Sequence, residues 1–209
     1  MTSLQIGVVN SILTVGGLIG ALVSGTIAAR YGRRTALVYN AGFLIVGPVL
    51  EALAPAVWVM ATGRFLSGIG VGTAAVVTPL IISEIAIPRY KGLFGSFTQT
   101  SINLGIFFAQ LLGYFMSRGQ LWRVILGVGG LIAVVHLGML CFVDESPKWL
   151  ADHGRASEGK QVLRKLRGHK ADIHAEVSGW GIESSEEREG PNYILQPRLS
   201  YPSLTAPPR

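Results

Sequence analysis

The chain has 209 residues, of which 49% are apolar and only 14% charged, well below the roughly 25% charge of soluble domains. Its net charge of +6 sits at the ends of apolar runs, not in a surface stripe, which speaks against nucleic-acid binding and for a membrane protein with a positive-inside bias. A lone cysteine, Cys141, excludes an internal disulfide.

Charge divides the chain in two. Residues 1–150 hold nine Lys/Arg and four Asp/Glu, and residues 151–209 hold nine and eight. The first part reads as membrane-embedded, the second as water-exposed. No charged side chain precedes Arg30. "SGTIAARYGRR" then brings Arg30, Arg33 and Arg34 within five positions, with Gly32 between them. Leu4 to Ala29 exceeds the ~20 residues a bilayer span needs. The charge follows the apolar run, whereas a cleaved secretory signal carries it in front. The expected orientation places the N-terminus outside and Arg30 in the cytosol.

Four further apolar segments follow: Leu37–Met60, Phe65–Ser83, Leu93–Ser117 and Trp122–Val143. Pro48, Glu51 and Pro55 make the later part of the second segment a kinked end or a loop. Alternation puts Arg30, Arg33, Arg34, Arg89, Lys91 and Lys148 on the cytosolic side and Arg64, Arg118 and Arg123 on the other. About five transmembrane helices result, an all-α membrane bundle over residues 1–146. Residues 147–178, with Trp149, Leu150, Val162, Leu163 and Leu166 among charges, read as short amphipathic helices at the cytosolic face. Residues 179–209, acidic and then Pro-rich, read as a disordered tail.

"GRFLSGIGVGTAAVVTP" carries Gly68, Gly70 and Gly72. No strand pattern or downstream acid supports a dinucleotide loop there, so the glycines are expected to let helices approach closely. In "QTSINLGIFFAQ", Gln99, Asn103 and Gln110 share one helical face, with Ile102 and Ile106 beside them. Amides in hydrocarbon need partners or a watery cavity. Gln99 can both donate to and accept from a neutral hydroxylated solute, and inter-helix hydrogen bonding is the equal alternative. Glu84 and Lys91 flank the turn between the third and fourth segments as a candidate charge pair. His136 alone reads as a structural hydrogen-bonder. The serine of "DESPKWL" lacks a G-x-S-x-G elbow and triad partners; Pro147 reads as a helix stop, with Glu145 in a charge pair. No catalytic, metal or cofactor site is expected.

Five of these stretches carry a resemblance. "GTIAARYGRR" resembles the G-x-x-x-[DN]-R-x-G-R-R loop of the major facilitator superfamily. "GRFLSGIGVG", "TPLIISEIAIPRYKGLFGS", "QTSINLGIFFAQLLG" and "DESPKWL" follow in the order and spacing of its sugar porter family, the last resembling P-E-S-P-R-[WF]-L. The resemblance covers roughly residues 15–150. It implies a twelve-helix carrier of sugars or polyols, working by alternating access between two six-helix halves of inverted repeats. The five segments then correspond to helices two to six of the N-terminal half, so the first helix and the C-terminal half are missing. The resemblance further implies that Gln99 contacts sugar, that Ile102, Asn103 and Ile106 flank it, and that Arg30, Gly32, Arg33, Arg34, Glu84, Lys91, Glu145 and Lys148 belong to a cytosolic network latching the two halves. Ala29 stands where the family has Asp or Asn, Lys91 and Lys148 where it has Arg, Asp144 where it has Pro, and Ile87 where its proline usually falls. After Gly181 the tail resembles nothing in the family. The implied partners are a sugar or polyol, carried either by uniport or with a proton, and the lipid of the plasma membrane or an internal membrane such as the vacuole, with the C-terminus cytosolic. The implied function is sugar transport, carried by a partial chain inactive alone; the alternative is a non-transporting membrane protein that associates with other porters, or a truncated gene product.

Overall fold

The computed structural model describes residues 3–116, 121–168, 173–178 and 180. Five long helices come first: α1 (Ser3–Tyr31), α2 (Arg33–Leu53), α3 (Val57–Ile85), α4 (Lys91–Met116) and α5 (Trp122–Leu140). At ~1.5 Å per residue they extend roughly 28–44 Å, enough to cross a bilayer. By length and composition α1, α2, α3 and α5 qualify as spans. α4 is long enough at 26 residues but, crossed by Gln99, Asn103 and Gln110, is not among them. Three short helices follow, α6 (Pro147–Asp152), α7 (Ala156–Arg167) and α8 (His174–Ser178). The tail expected to be disordered lies outside the described residues apart from Trp180.

In lipid, apolar burial does not drive helices together, so close backbone approach and polar contacts must. The α1–α3 seam shows how. A Cβ on Gly16 or Gly20 would strike the carbonyl oxygen of Phe65 or Ile69, and one on Gly68 or Gly72 that of Leu13 or Gly17. Gly70 faces the other way, with a built Cβ 2.6 Å from Leu44 Cδ2 on α2. α3 thus packs between α1 and α2, and α2 in turn carries α5. One apolar cluster, with Ala28, Leu37, Val77, Ile81 and Leu140, ties α1, α2, α3 and α5 at the end where the arginines lie. Val9, Met60 and Ala61 tie α1 to α3 at the opposite end. α4 has no buried residue and only light contacts to α3 and α5.

Three expected boundaries move. α2 does not break at Pro48 but runs through it to Leu53, and the turn comes at 54–56. Proline there removes one ladder bond, and Glu51 is neutralised by neighbours and not by water. α3 begins at Val57, eight residues before Phe65, so Arg64 lies inside the helix and not in a connecting loop. At the far end α5 stops at Leu140, and 141–143 are turn.

α6 opens on Pro147 with Ser146 as N-cap, its Oγ accepting from Trp149 N–H at 3.3 Å. α6 packs on α7, and Leu163 forms a small core with Ile173, Val177 and Trp180. Trp149 Nε1 donates to Ala29 O at 2.7 Å, and Arg167 donates to Ile85 O and Ala86 O at 2.8 and 3.2 Å, fastening these short helices to the arginine end of the bundle.

Candidate functional site

The arginine end is where three helices present C-termini and two present N-termini. A helix C-terminus leaves carbonyls without partners and bears partial negative charge. Each of the three receives a guanidinium. Arg33 donates to Ala28 O of α1 at 3.3 Å, Arg34 donates to Leu140 O and Cys141 O of α5 at 3.0 and 3.1 Å, and Arg167 closes α3. Arg33 also pairs with Glu84 at 2.8 Å, both side chains nearly buried. Glu84 therefore finds Arg33 and not Lys91.

Glu145 supplies the complementary charge. Its carboxylate accepts Arg34 N–H at 2.9 Å, Thr35 N–H at 3.4 Å and Ser146 N–H at 3.0 Å. It caps the N-terminus of α2 from 111 residues away, a task that Gly32, the N-cap, has no side chain to perform. Gly32 has φ 103° and ψ 154°, a backbone region essentially restricted to glycine. A Cβ there would also fall on the Glu145 carboxylate. Glu145 thus reaches the backbone of α2, and Lys148 remains exposed. Arg30 is exposed, its guanidinium 5.5 Å from the Tyr31 ring centroid.

A second region lies between α3 and α4. A cavity of about 760 Å³ is lined by Gln99, Ile102 and Thr98 of α4, by Thr78, Pro79 and Ser83 of α3, and by Lys91, together with apolar neighbours. The volume falls within the 300–1,000 Å³ usual for small-molecule sites, as does the mix of apolar wall and a few polar groups. Pro79 has no N–H to return to the carbonyl of Ala75, and both residues line this wall. Gln99 Nε2 donates to Asn103 Oδ1 at 3.4 Å, so the two amides stand on one face. Ile106 and Gln110 continue that face and are exposed, outside the cavity wall. His136 points outward from the bundle. Among the described residues no cluster of three His, Cys, Asp or Glu could hold a metal ion.

A third constellation escaped the sequence reading. Glu51 of α2 is 3% exposed, accepts Ser67 Oγ–H at 2.6 Å, and lies 3.2 Å from Arg64 Nε. The arginine contact is electrostatic and not an aligned hydrogen bond. Gly47 and Gly63 make room: a Cβ on Gly63 would sit 2.7 Å from Glu51 Cγ, and one on Gly47 would strike Ser67 Oγ. The usable signal was two small residues four positions before a polar one, Gly47–Glu51 and Gly63–Ser67, on facing helices. Arg167 and Trp149 were also missed, because their targets are backbone carbonyls.

Among the described residues, an all-helical bundle with long apolar helices, facing glycine seams and charge knotted at one end defines the class: a polytopic membrane protein. The family profile described as "Sugar (and other) transporter" matches residues 1–205, and the chain belongs to that family. The match runs through the tail, which the motif reading had placed outside the family beyond Gly181. Among curated relatives, the chain is similar to the probable metabolite transport protein YBR241C of Saccharomyces cerevisiae, 37% identical over 97% of this chain and 44% of that protein. It is 44% identical to sugar transporter ERD6-like 9 of Arabidopsis thaliana, over 83% of this chain and 52% of that one. Among solved structures it is similar to a partially occluded inward-open form of the xylose transporter XylE from E. coli, with TM-score 0.77 and 25% identity, over 90% of this chain and 50% of that one. The chain thus spans about half the length of the relatives it matches, and the fold is that of major facilitator transporters.

Proposed function

We propose that this chain supplies the N-terminal half of a sugar or polyol pathway, with Gln99 as its hydrogen-bonding group and Ile102, Asn103 and Ile106 as its flank. The observation that carries this reading is the cavity between α3 and α4, where Gln99 and Ile102 share a wall with hydroxyls of Thr78, Ser83 and Thr98. These are neutral donors and acceptors, suited to a ligand made of hydroxyl groups. Support comes from the family and from relatives named as sugar transporters. We place the arginine end in the cytosol, since Arg30, Arg33, Arg34, Arg89, Lys91 and Lys148 gather there. An accessibility tag after Gly168 reports the cytosol on this reading, and an external report removes it. In the whole transporter, Arg30, Lys91 and Lys148, exposed here, would complete a latch with the opposite half.

Alternating access needs one half to rock against another around a midplane site. With α4 largely unburied, the chain on its own offers one wall of such a site. Expressed in cells lacking hexose carriers, it should take up no labelled glucose, xylose, inositol or maltose. Co-expressed with the C-terminal half of a curated relative, it should show saturable uptake. Gln99→Ala should then weaken apparent affinity several-fold, the effect of one hydrogen bond worth about 0.5–1.5 kcal/mol. Proton movement that accompanies uptake assigns symport. Uptake by the chain alone overturns the half-pathway reading. Unchanged affinity in Gln99→Ala at normal expression returns Gln99 to helix packing, and failure of complementation favours a non-transporting membrane protein.

A further inference from the structure

Asn40 lies on α2, seven residues and so roughly 10 Å along the axis from Arg33. It is 2% exposed, yet neither Oδ1 nor Nδ2 finds a hydrogen-bond partner among the described residues. Buried side-chain amides are nearly always partnered. Asn40 lines a cavity of about 170 Å³ where α1, α2 and α3 meet. Two buried or half-buried hydroxyls line the same space, Ser24 of α1 and Thr73 of α3. Their hydrogens are committed elsewhere: Ser24 Oγ donates to Ala21 O at 3.0 Å and Thr73 Oγ1 to Gly20 O at 3.4 Å. Each hydroxyl therefore offers the cavity its oxygen lone pairs alone.

Tyr39 also lines the cavity but is largely exposed, so the buried polar inventory is two donors from the Asn40 amino group against acceptors from its carbonyl and the two hydroxyl oxygens. An occupant must donate more than it accepts, form several bonds at once and be small. A cation could satisfy the oxygens, but no acidic side chain lines the cavity and arginines begin the same helix. Water fits both the count and the size, since 170 Å³ is room for several molecules. We propose that this cavity is an intramembrane hydration site, in which water bridges the Asn40 amide to Ser24 and Thr73. α2 is then joined to α1 and α3 there through exchangeable waters in place of direct side-chain bonds.

The test is X-ray hydroxyl-radical footprinting of the purified chain in lipid nanodiscs, in which ordered water is the local radical source. Ile27 and Ile69 line the cavity, and Val77, fully buried in the apolar cluster, is the dry reference. Oxidation of Ile27 and Ile69 several-fold faster than Val77 is expected, with oxygen-18 label incorporated from the solvent. Asn40→Ser should retain this labelling and Asn40→Leu should lose it. Wild-type Ile27 and Ile69 oxidised no faster than Val77 would mean a dry or lipid-filled cavity and overturns the proposal, whether or not the Leu variant folds. Unchanged labelling in a folded Asn40→Leu chain overturns it as well.

Discussion

Replacing Glu51 with alanine leaves Arg64 and Ser67, both on α3, without the carboxylate that meets them across the α2–α3 seam. Removing one member of a buried ion pair typically costs about 3–5 kcal/mol, because the survivor stays desolvated and uncompensated. Arg64 is 30% exposed whereas Glu51 is 3% exposed, so the stranded cation can partly reach solvent or headgroups and the figure should fall to about 2–3 kcal/mol. Glu51→Gln keeps the shape and an acceptor for Ser67 Oγ but loses the charge, and a charge-assisted bond is about twice as strong as a neutral one, leaving a cost of about 1–1.5 kcal/mol. Glu51→Leu combined with Arg64→Met removes both charges and should return to within about 1 kcal/mol of wild type.

Reversible unfolding of the chain by SDS in mixed micelles, followed by helix signal, measures the series. The alanine variant should shift the equilibrium roughly 30- to 150-fold toward the unfolded state, since each 1.4 kcal/mol is a factor of ten. The order Ala, then Gln, then the double variant is the signature of a paired carboxylate. An alanine variant within about 0.5 kcal/mol of wild type would place Glu51 with ordinary surface positions and refute the reasoning. A double variant as damaged as the alanine one would mean that shape, and not charge pairing, closes this seam.

Gly32→Ala should destabilise by roughly 1–3 kcal/mol through backbone strain, and pairing it with Glu145→Ala should be non-additive, since the new methyl strikes the carboxylate that the second change removes; additive costs in a double-mutant cycle exclude the contact. Glu145→Gln weakens the cap on α2 and should cost about 1 kcal/mol in the same SDS unfolding assay, with no loss meaning that the α2 N–H groups are satisfied otherwise. Gly72→Ala sets a methyl on the Gly17 carbonyl of α1, a backbone atom that cannot swing aside, and should cost about 1–3 kcal/mol; an unaffected midpoint would show that α1 and α3 stand further apart. Arg155 holds the Glu158 carboxyl below the usual carboxylate range, first by their hydrogen bond. The stability that this pair adds is present at neutral pH and lost as pH falls through that lowered range. Both groups are fully exposed, so Glu158→Gln should lie close to wild type at pH 7 and merge with it in acid; a gap that widens on acidification contradicts this sign.

Which features could be read from the chain alone follows from how far each interaction reaches. α1 and α4 were readable because one local property defines each: an uncharged run ending at Arg30, and an apolar run opened after Pro88 and crossed by Gln99 and Asn103. The boundary between α2 and α3 was not, because Pro48, Glu51 and Arg64 all signal a water-facing turn in a soluble chain. Their membrane meaning depends on Ser67, sixteen residues beyond Glu51 and on another helix. Gly32 was readable as a motif glycine but not as the position where a distant carboxylate replaces a cap, since Glu145 lies 111 residues from Arg34. In water, an unpartnered carbonyl or amide is satisfied locally and leaves little trace in the sequence. In lipid, each must find a specific donor or acceptor elsewhere in the chain. Ser67 meeting Glu51 is that requirement met inside the bundle, Arg33, Arg34 and Arg167 close the packed ends of α1, α5 and α3 in the same way, and Asn40 marks the place where protein groups alone do not meet it.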